Sequence, residues 1–296
     1  MPSTKPRADF SCLSPCKLNL FLYITGRRPD GYHCLQTLFA LLDYGDEMRF
    51  EPAGSGLELC GSFDCPAADN LITHAHALLQ RHCGRRLGVR ISVNKRIPAG
   101  AGLGGGSSNA ATTLLALSRL FSLNLQQDEL MHLGLQLGAD VPLFVGGRCA
   151  FACGIGEELH PLELDVRHFV VAVPQVHVST ASVYADPLLR RDCPQRTLTE
   201  LLAMPFENVM QEVVVRRHPE VGHALGQLLQ YAPARMSGSG SACFAVFKRH
   251  APAEAALQAV ARTMPGTCFA ARLVNVSPVT QALQQLPQHD SPWRQS

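Results

Sequence analysis

Charge is scarce in this sequence. Only 17% of its 296 residues are Asp, Glu, Lys or Arg, against about 25% in a typical soluble domain. Neither sign dominates: 26 Lys and Arg face 24 Asp and Glu, for a net charge of +2. This excludes an acidic or highly charged disordered protein. It also excludes a global basic field that would draw nucleic acid or an anionic membrane, so neither partner is expected. A local basic site for a phosphorylated ligand stays open. Long apolar runs are missing too. Stretches such as 169–173 fall far short of the roughly 18 residues a membrane-spanning helix needs. The opening MPSTKPRADFSCLSPCK has no apolar core of a secretory signal, so a cytoplasmic location is expected. Among 11 cysteines there is no C-x-x-C pair. Cys60 and Cys65, like Cys149 and Cys153, have other spacings and no clustered His. Free thiols in a reducing compartment are the expected state. Internal repeats and low-complexity tracts are absent as well.

What is present suffices for a packed α/β protein. Hydrophobic residues make up 46% of the chain, and at about 150 residues per domain the length predicts two domains. Alternation predicts strands over 17–23, 47–51, 56–60, 89–93, 148–152, 169–173, 242–247 and 268–274. In 17–23, Lys17 and Asn19 share a face with Phe21 and Tyr23, an odd composition for a simple core strand. Helical spacing predicts helices over 70–83, with Asn70 as N-cap, and over 109–121, 128–137, 208–217, 220–231 and 252–263. The segment 154–168 reads as a polar loop. It places a domain boundary near residue 157, giving domains 1–157 and 158–286. The last residues, 287–296, read as a flexible tail.

The segment 98–108, P-A-G-A-G-L-G-G-G-S-S, holds five glycines in eleven residues and leads straight into a helix. Strand, glycine-rich loop and helix form a phosphate-holding arrangement. Glycines let the backbone approach an oxyanion, and the helix start offers free N–H groups and a positive dipole end. The loop lacks the G-K-[ST] ending of a Walker A motif. Gly100, Gly102 and Gly105 formally fit G-x-G-x-x-G, yet no strand ending in an acid follows about 20 residues on.

Four motifs together resemble the GHMP kinase superfamily: S-P-C-K-L-N-L with R-P-D-G-Y-H, the glycine loop, L-G-A-D-V-P with its G-G-R-C-A-F-A-C-G-I-G-E continuation, and M-S-G-S-G-S. The first is similar to the branch whose acceptor carries a cytidine diphosphate group. The resemblance spans about residues 14–278. It implies a two-domain α/β (α+β) fold, with a ribosomal-protein-S5-like N-terminal domain that has a left-handed crossover, and a ferredoxin-like C-terminal domain. The implied activity is transfer of phosphate from ATP to the 2-hydroxyl of a cytidine diphosphate ester of methylerythritol, with Mg2+, in non-mevalonate isoprenoid synthesis. A monomer or weak homodimer is expected. Another GHMP small-molecule kinase, or a silent ligand sensor on the same fold, stays open.

The resemblance also assigns residues. Lys17 would stand beside the acceptor hydroxyl, and Asp140 would be the general base, unless it only caps its turn. Pro98, Ala99, Gly100, Ala101, Gly102, Leu103, Gly104, Gly105, Gly106, Ser107 and Ser108 would hold ATP phosphates, with Ser108 a ligand for the metal. Asn70 and Lys95 match positions near adenine and ribose, or serve as a cap and a surface charge. Tyr32 and Tyr184 would stack on cytosine, His33 would bond its edge, and Asn19 and Thr180 would contact diphosphate or sugar. Two departures stand out. Cys16 replaces an alanine and would put a thiol next to Lys17, open to thiol reagents. Val209 follows Asn208 where relatives carry an acid.

Overall fold

The computed structural model describes residues 9–286 and Trp293. Ten strands and ten α-helices are found among them. Two long strands dominate: β1 (Phe10–Arg27) and β2 (His33–Pro52) run antiparallel over almost their whole length. Both exceed their expected spans; the missed middle of β2 is buried on both faces and shows no alternation of apolar and polar residues. On its other side β2 pairs with β4 (Val89–Asn94), which lies parallel to β3 (Leu57–Gly61). Helix α1 (Leu71–Cys83) connects that parallel pair. Asn70 caps it, with Oδ1 accepting from Ile72 N at 2.9 Å, and Gly84 ends it in the left-handed conformation.

Helix α2 (Gly105–Leu120) follows the glycine loop and packs on α1, β1 and β2. Next come α3 (Gln127–Leu135) and α4 (Val141–Gly146), and then β5 (Ala150–Cys153). The stretch read as a loop in fact holds β6 (Glu158–Pro161), which pairs antiparallel with β5. Its side chains are mostly exposed, so it has no hydrophobic alternation to reveal it. A boundary at residue 157 falls inside this hairpin.

The second half forms a sheet of β7 (His168–Pro174), β8 (Ala234–Met236), β9 (Cys243–Phe247) and β10 (Gly266–Val274), in the order β10-β7-β9-β8. Along β7, Phe169, Val171 and Val173 enter one core while Val170 and Ala172 enter another, the period-two alternation of a strand covered on both faces. Helices α8 (Pro219–Leu229) and α9 (His250–Thr263) pack on this sheet. Between them and β7 in sequence lie α5 (Thr180–Tyr184), α6 (Leu198–Leu202) and α7 (Gln211–Arg217). Strand β10 also pairs with β2, Leu273 opposite Leu42 and Val274 opposite Leu41. The two halves thus share one sheet path, and a cleft opens where β1 meets both. Helix α10 (Pro278–Gln284) packs back on β1.

All eleven cysteines are free thiols. No helix among the described residues is long and apolar enough to cross a membrane. Most of the stretch 287–296 lies outside the described residues. Trp293 within it is buried, its ring edge-on to Phe121 at 5.3 Å, so the flexible-tail reading does not hold at that residue.

Candidate active site

Strand β1 builds the floor of the site. Its register against β2 shifts between Pro15 and Lys17 and again between Asn19 and Leu22. After the second shift Leu22 turns to the other half of the chain: its N–H donates to Glu207 O at 2.9 Å and its carbonyl accepts from Val209 N at 3.0 Å. Lys17 and Asn19 lie between these irregularities, two residues apart and on one face. That face looks into a cleft of about 910 Å³, which explains two polar residues on a core strand. Lys17 is only 4% exposed. Its Nζ donates to Asn19 Oδ1 at 2.7 Å and stands 3.3 Å from Asp140 Oδ2. Asn19 in turn donates to Thr37 Oγ1 at 2.8 Å.

Asp140 occupies the N-cap position of α4, but its side chain makes no cap hydrogen bond. The carboxylate faces Lys17 instead, so capping alone does not account for it. Residues separated by more than a hundred positions are brought into one ion pair because α4 packs on α2 and α2 packs on β1.

The glycine loop closes over Lys17, whose backbone N–H donates to Leu103 O at 3.0 Å. Gly100, Gly102 and Ser107 line the cleft, while Ala101 and Leu103 are buried beneath it. Gly104 sits at φ 73° as the N-cap of α2, and no side chain caps that helix. The first-turn N–H groups are therefore free of side-chain partners and can meet an oxyanion. A Cβ at Gly104 would lie 2.9 Å from the Phe144 ring and 3.2 Å from Lys17 Cγ, so only glycine lets loop, helix and lysine come together. The M-S-G-S-G-S motif supplies the facing wall. Ser237 Oγ accepts from Asn19 N at 3.1 Å, and Gly238 and Ser239 line the cleft. Asn208 holds this motif by donating to Met236 O at 2.9 Å and Gly238 O at 2.8 Å. The missing acid at Val209 takes no part in that grip.

Several expected residues sit elsewhere. Ser108 is fully buried, and its hydroxyl lies 2.8 Å from Ser14 Oγ. Ser14 Oγ also accepts from Asn109 Nδ2 and Thr112 Oγ1, each at 3.0 Å. The helix turns Ser107 toward the cleft and Ser108 into the core, which corrects the expectation that Ser108 binds the metal. Asn70 serves as the α1 cap. Lys95 pairs with the fully buried Asp46 and donates to Asn109 Oδ1 at 3.0 Å. Asp46 further accepts from Arg96 N at 2.7 Å and Ile97 N at 2.9 Å. Neither Asn70 nor Lys95 lines this cleft. Cys16 is fully buried, and desolvation pushes its thiol well above the usual range. It therefore stays protonated and out of reach of solvent, against the expectation of a reactive thiol.

At the far end of the cleft, the His33 and Tyr184 rings stack at 4.7 Å with 17° between planes. Tyr32 stands at the lip, 60% exposed. Burial lowers the His33 pKa, helped by the cations Arg191 and Arg27. Its Nε2 is buried and, among the described residues, has no hydrogen-bond partner. Burial, and next the charge of Asp140, raise the Tyr184 hydroxyl to about 12. Arg191 fixes the end of α5 by donating to Tyr184 O and Asp186 O, both at 2.7 Å. Thr180 lines the cleft and shares a 2.7 Å hydrogen bond with Ser239. Sequence reasoning missed Arg27, His177, Ser237 and Ser239. Ser237 and Ser239 lie in the glycine-rich motif and Arg27 in the stretch that joins K-L-N-L to D-G-Y-H, whereas His177 had no signal.

Comparison with known proteins agrees with this geometry. The family of GHMP kinases N terminal domains matches residues 70–148, and that of GHMP kinases C terminal matches 189–266. A 4-diphosphocytidyl-2-C-methyl-D-erythritol kinase of Hahella chejuensis is 46% identical over 289 residues, 93% of this chain and 97% of the relative. The enzyme of that name from Paraburkholderia xenovorans is 51% identical over 256 residues, 82% and 87% of the two chains. The chain belongs to the 4-diphosphocytidyl-2-C-methyl-D-erythritol kinases. A crystal structure of 4-(cytidine 5'-diphospho)-2C-methyl-D-erythritol kinase superposes with TM-score 0.79 at 38% identity, covering 89% of this chain and 98% of that one. A homoserine kinase from Cytophaga hutchinsonii shares the fold, with TM-score 0.68 at 14% identity and coverage of 94% and 98%. As a member of this GHMP family the chain is an ATP-dependent small-molecule kinase of two-domain α/β architecture.

Proposed function

We propose that this kinase moves the terminal phosphoryl group of ATP to the 2-hydroxyl of 4-diphosphocytidyl-2-C-methyl-D-erythritol, giving the 2-phosphate and ADP, in the non-mevalonate isoprenoid pathway. The observation that carries the reading is the Lys17–Asp140 pair, 3.3 Å apart. It shares one cleft with loop residues beside the uncapped start of α2 and with the His33–Tyr184 stack. ATP phosphates meet the loop glycines, Ser107 and the N–H groups of α2. Cytosine is held by Tyr32 and Tyr184 on its faces and by the unpartnered His33 Nε2 at its edge. Asn19 and Thr180 contact the part between base and acceptor hydroxyl.

Phosphoryl transfer needs mainly placement and charge stabilisation. Asp140 accepts the proton of the attacking hydroxyl. Lys17, 3.3 Å from Asp140, steadies the charge that develops on the acceptor oxygen. Asn19 and Thr37 fix the lysine by occupying its neighbours. The Mg2+ expected with ATP finds no protein cage here. No group of three or more His, Cys, Asp or Glu among the described residues could hold a metal, and Ser108 is turned away. No step is assigned to it. We place the enzyme in the cytoplasm, as a monomer or weak homodimer.

A coupled assay of ADP release tests the reading. ATP with the cytidine diphosphate ester should give ADP, and ATP with methylerythritol or a plain sugar alcohol should not. ADP release with the simple alcohols, and none with the ester, would assign the cleft to another acceptor.

A further inference from the structure

The turn between β1 and β2 ends in a register pair, Arg27 directly opposite His33. Opposed residues of an antiparallel pair carry Cβ atoms about 4.5–5.5 Å apart on one face. Arg27 thus rises beside the imidazole assigned to the base edge, and its charge is felt there. Its neighbour is already neutralised, since Arg28 Nη2 lies 2.8 Å from Asp30 Oδ2. Arg27 has no carboxylate partner among the described residues. Its hydrogen bond is from Nε to Gly31 O, at 3.2 Å, and this tethers the stem while leaving the forked end to the cleft. Of the residues lining the cleft, Lys17 and Arg27 are the permanent cations. Lys17 is engaged by Asp140 and Asn19 at the other end. An acceptor with a diphosphate next to its cytidine would bring about two negative charges to the end where Arg27 stands.

We propose that Arg27 binds the diphosphate of the acceptor, pairing its guanidinium fork with phosphate oxygens, and so selects a cytidine diphosphate ester over uncharged cytidine derivatives. The proposal rests on the cytidine acceptor read above. A planar fork matches phosphate oxygens two at a time, which a point charge on lysine cannot do. Gly31 is part of the same device, because its carbonyl holds the arginine stem at the rim. The role is binding, so it belongs to acceptor affinity and not to the chemical step.

Calorimetric titration of the native chain and of Arg27→Gln with CDP, cytidine and ADP tests it. In Arg27→Gln the affinity for CDP should fall about tenfold to a hundredfold, the range of a hydrogen-bonded charge pair. Affinities for cytidine and ADP should stay as in the native chain. Arg27→Lys should fall between the two. In turnover, Arg27→Gln should raise the acceptor KM and leave kcat unchanged. The proposal is overturned if CDP binding is unchanged, if CDP and cytidine weaken together, or if ADP weakens instead. If neither CDP nor cytidine binds the native chain, the cytidine reading fails and takes this proposal with it.

Discussion

At the loop end of the cleft the buried polar groups satisfy one another; at the end that carries His33 and Tyr184 they do not. Beneath the glycine loop, Asp46 takes two backbone N–H groups and Lys95. Lys95 reaches Asn109, Asn109 reaches Ser14, and Ser14 meets Ser108. This chain of contacts ties β2, the residues just before the loop, the first turns of α2 and the strand that carries Lys17. At the far end, among the described residues, His33 Nε2 has no hydrogen-bond partner and Arg27 bonds only Gly31 O, while Tyr32 stands in solvent. The contrast teaches a division of labour. The loop end is assembled by folding, because a half-satisfied buried network is costly. The far end leaves polar groups open.

Removing Asp46 should therefore damage folding more than any change at the far end. Asp46→Ala leaves Lys95 and two backbone N–H groups without their acceptor. A broken buried pair costs about 3–5 kcal/mol, to be read from the urea midpoint. An unchanged midpoint would show that the network does not brace the loop. Tyr184→Ala should cut acceptor affinity by about 1–3 kcal/mol, the value of one stacked base. The ATP KM should not move in that variant. If both KM values rose together, the two ends would not be separate. The smallest effect is in pH. His33 sits below the usual histidine value of about 6.5 because burial and the Arg191 and Arg27 charges disfavour its imidazolium. It is neutral at pH 7 and takes a proton only at lower pH, losing Nε2 as an acceptor. Acceptor KM should be flat from about pH 7 to 8, rise only as pH falls below the ordinary histidine value, and stay flat in His33→Gln.

Local pattern made α1 with its Asn70 cap, β4 and the loop-to-helix junction legible, because cap, alternation and glycine content are short-range signals. The length of β2 was not legible, since a strand buried on both faces loses its alternation, and β1 was legible only over its middle. Strand β6 was missed for the opposite reason, being exposed. Which serine of 107 and 108 faces the cleft depends on the phase at which α2 begins, set by Gly104 against Phe144 and Lys17. The meeting of Lys17 with Asp140 came only from resemblance, as no local signal joins positions so far apart. Cys16 shows the converse: adjacent in sequence to Lys17, it is buried with its thiol protonated while Lys17 faces the cleft.

The central claim is that Asp140 takes the acceptor proton beside Lys17, between a finished donor side and an open acceptor side. The most direct measurement is kcat of Asp140→Asn with ATP and 4-diphosphocytidyl-2-C-methyl-D-erythritol, alongside titration of ATP and CDP. The account predicts a fall in kcat of about 10²–10⁴ with both ligands bound as in the native chain. A loss under about tenfold, on the same scale for general-base catalysis, would contradict it.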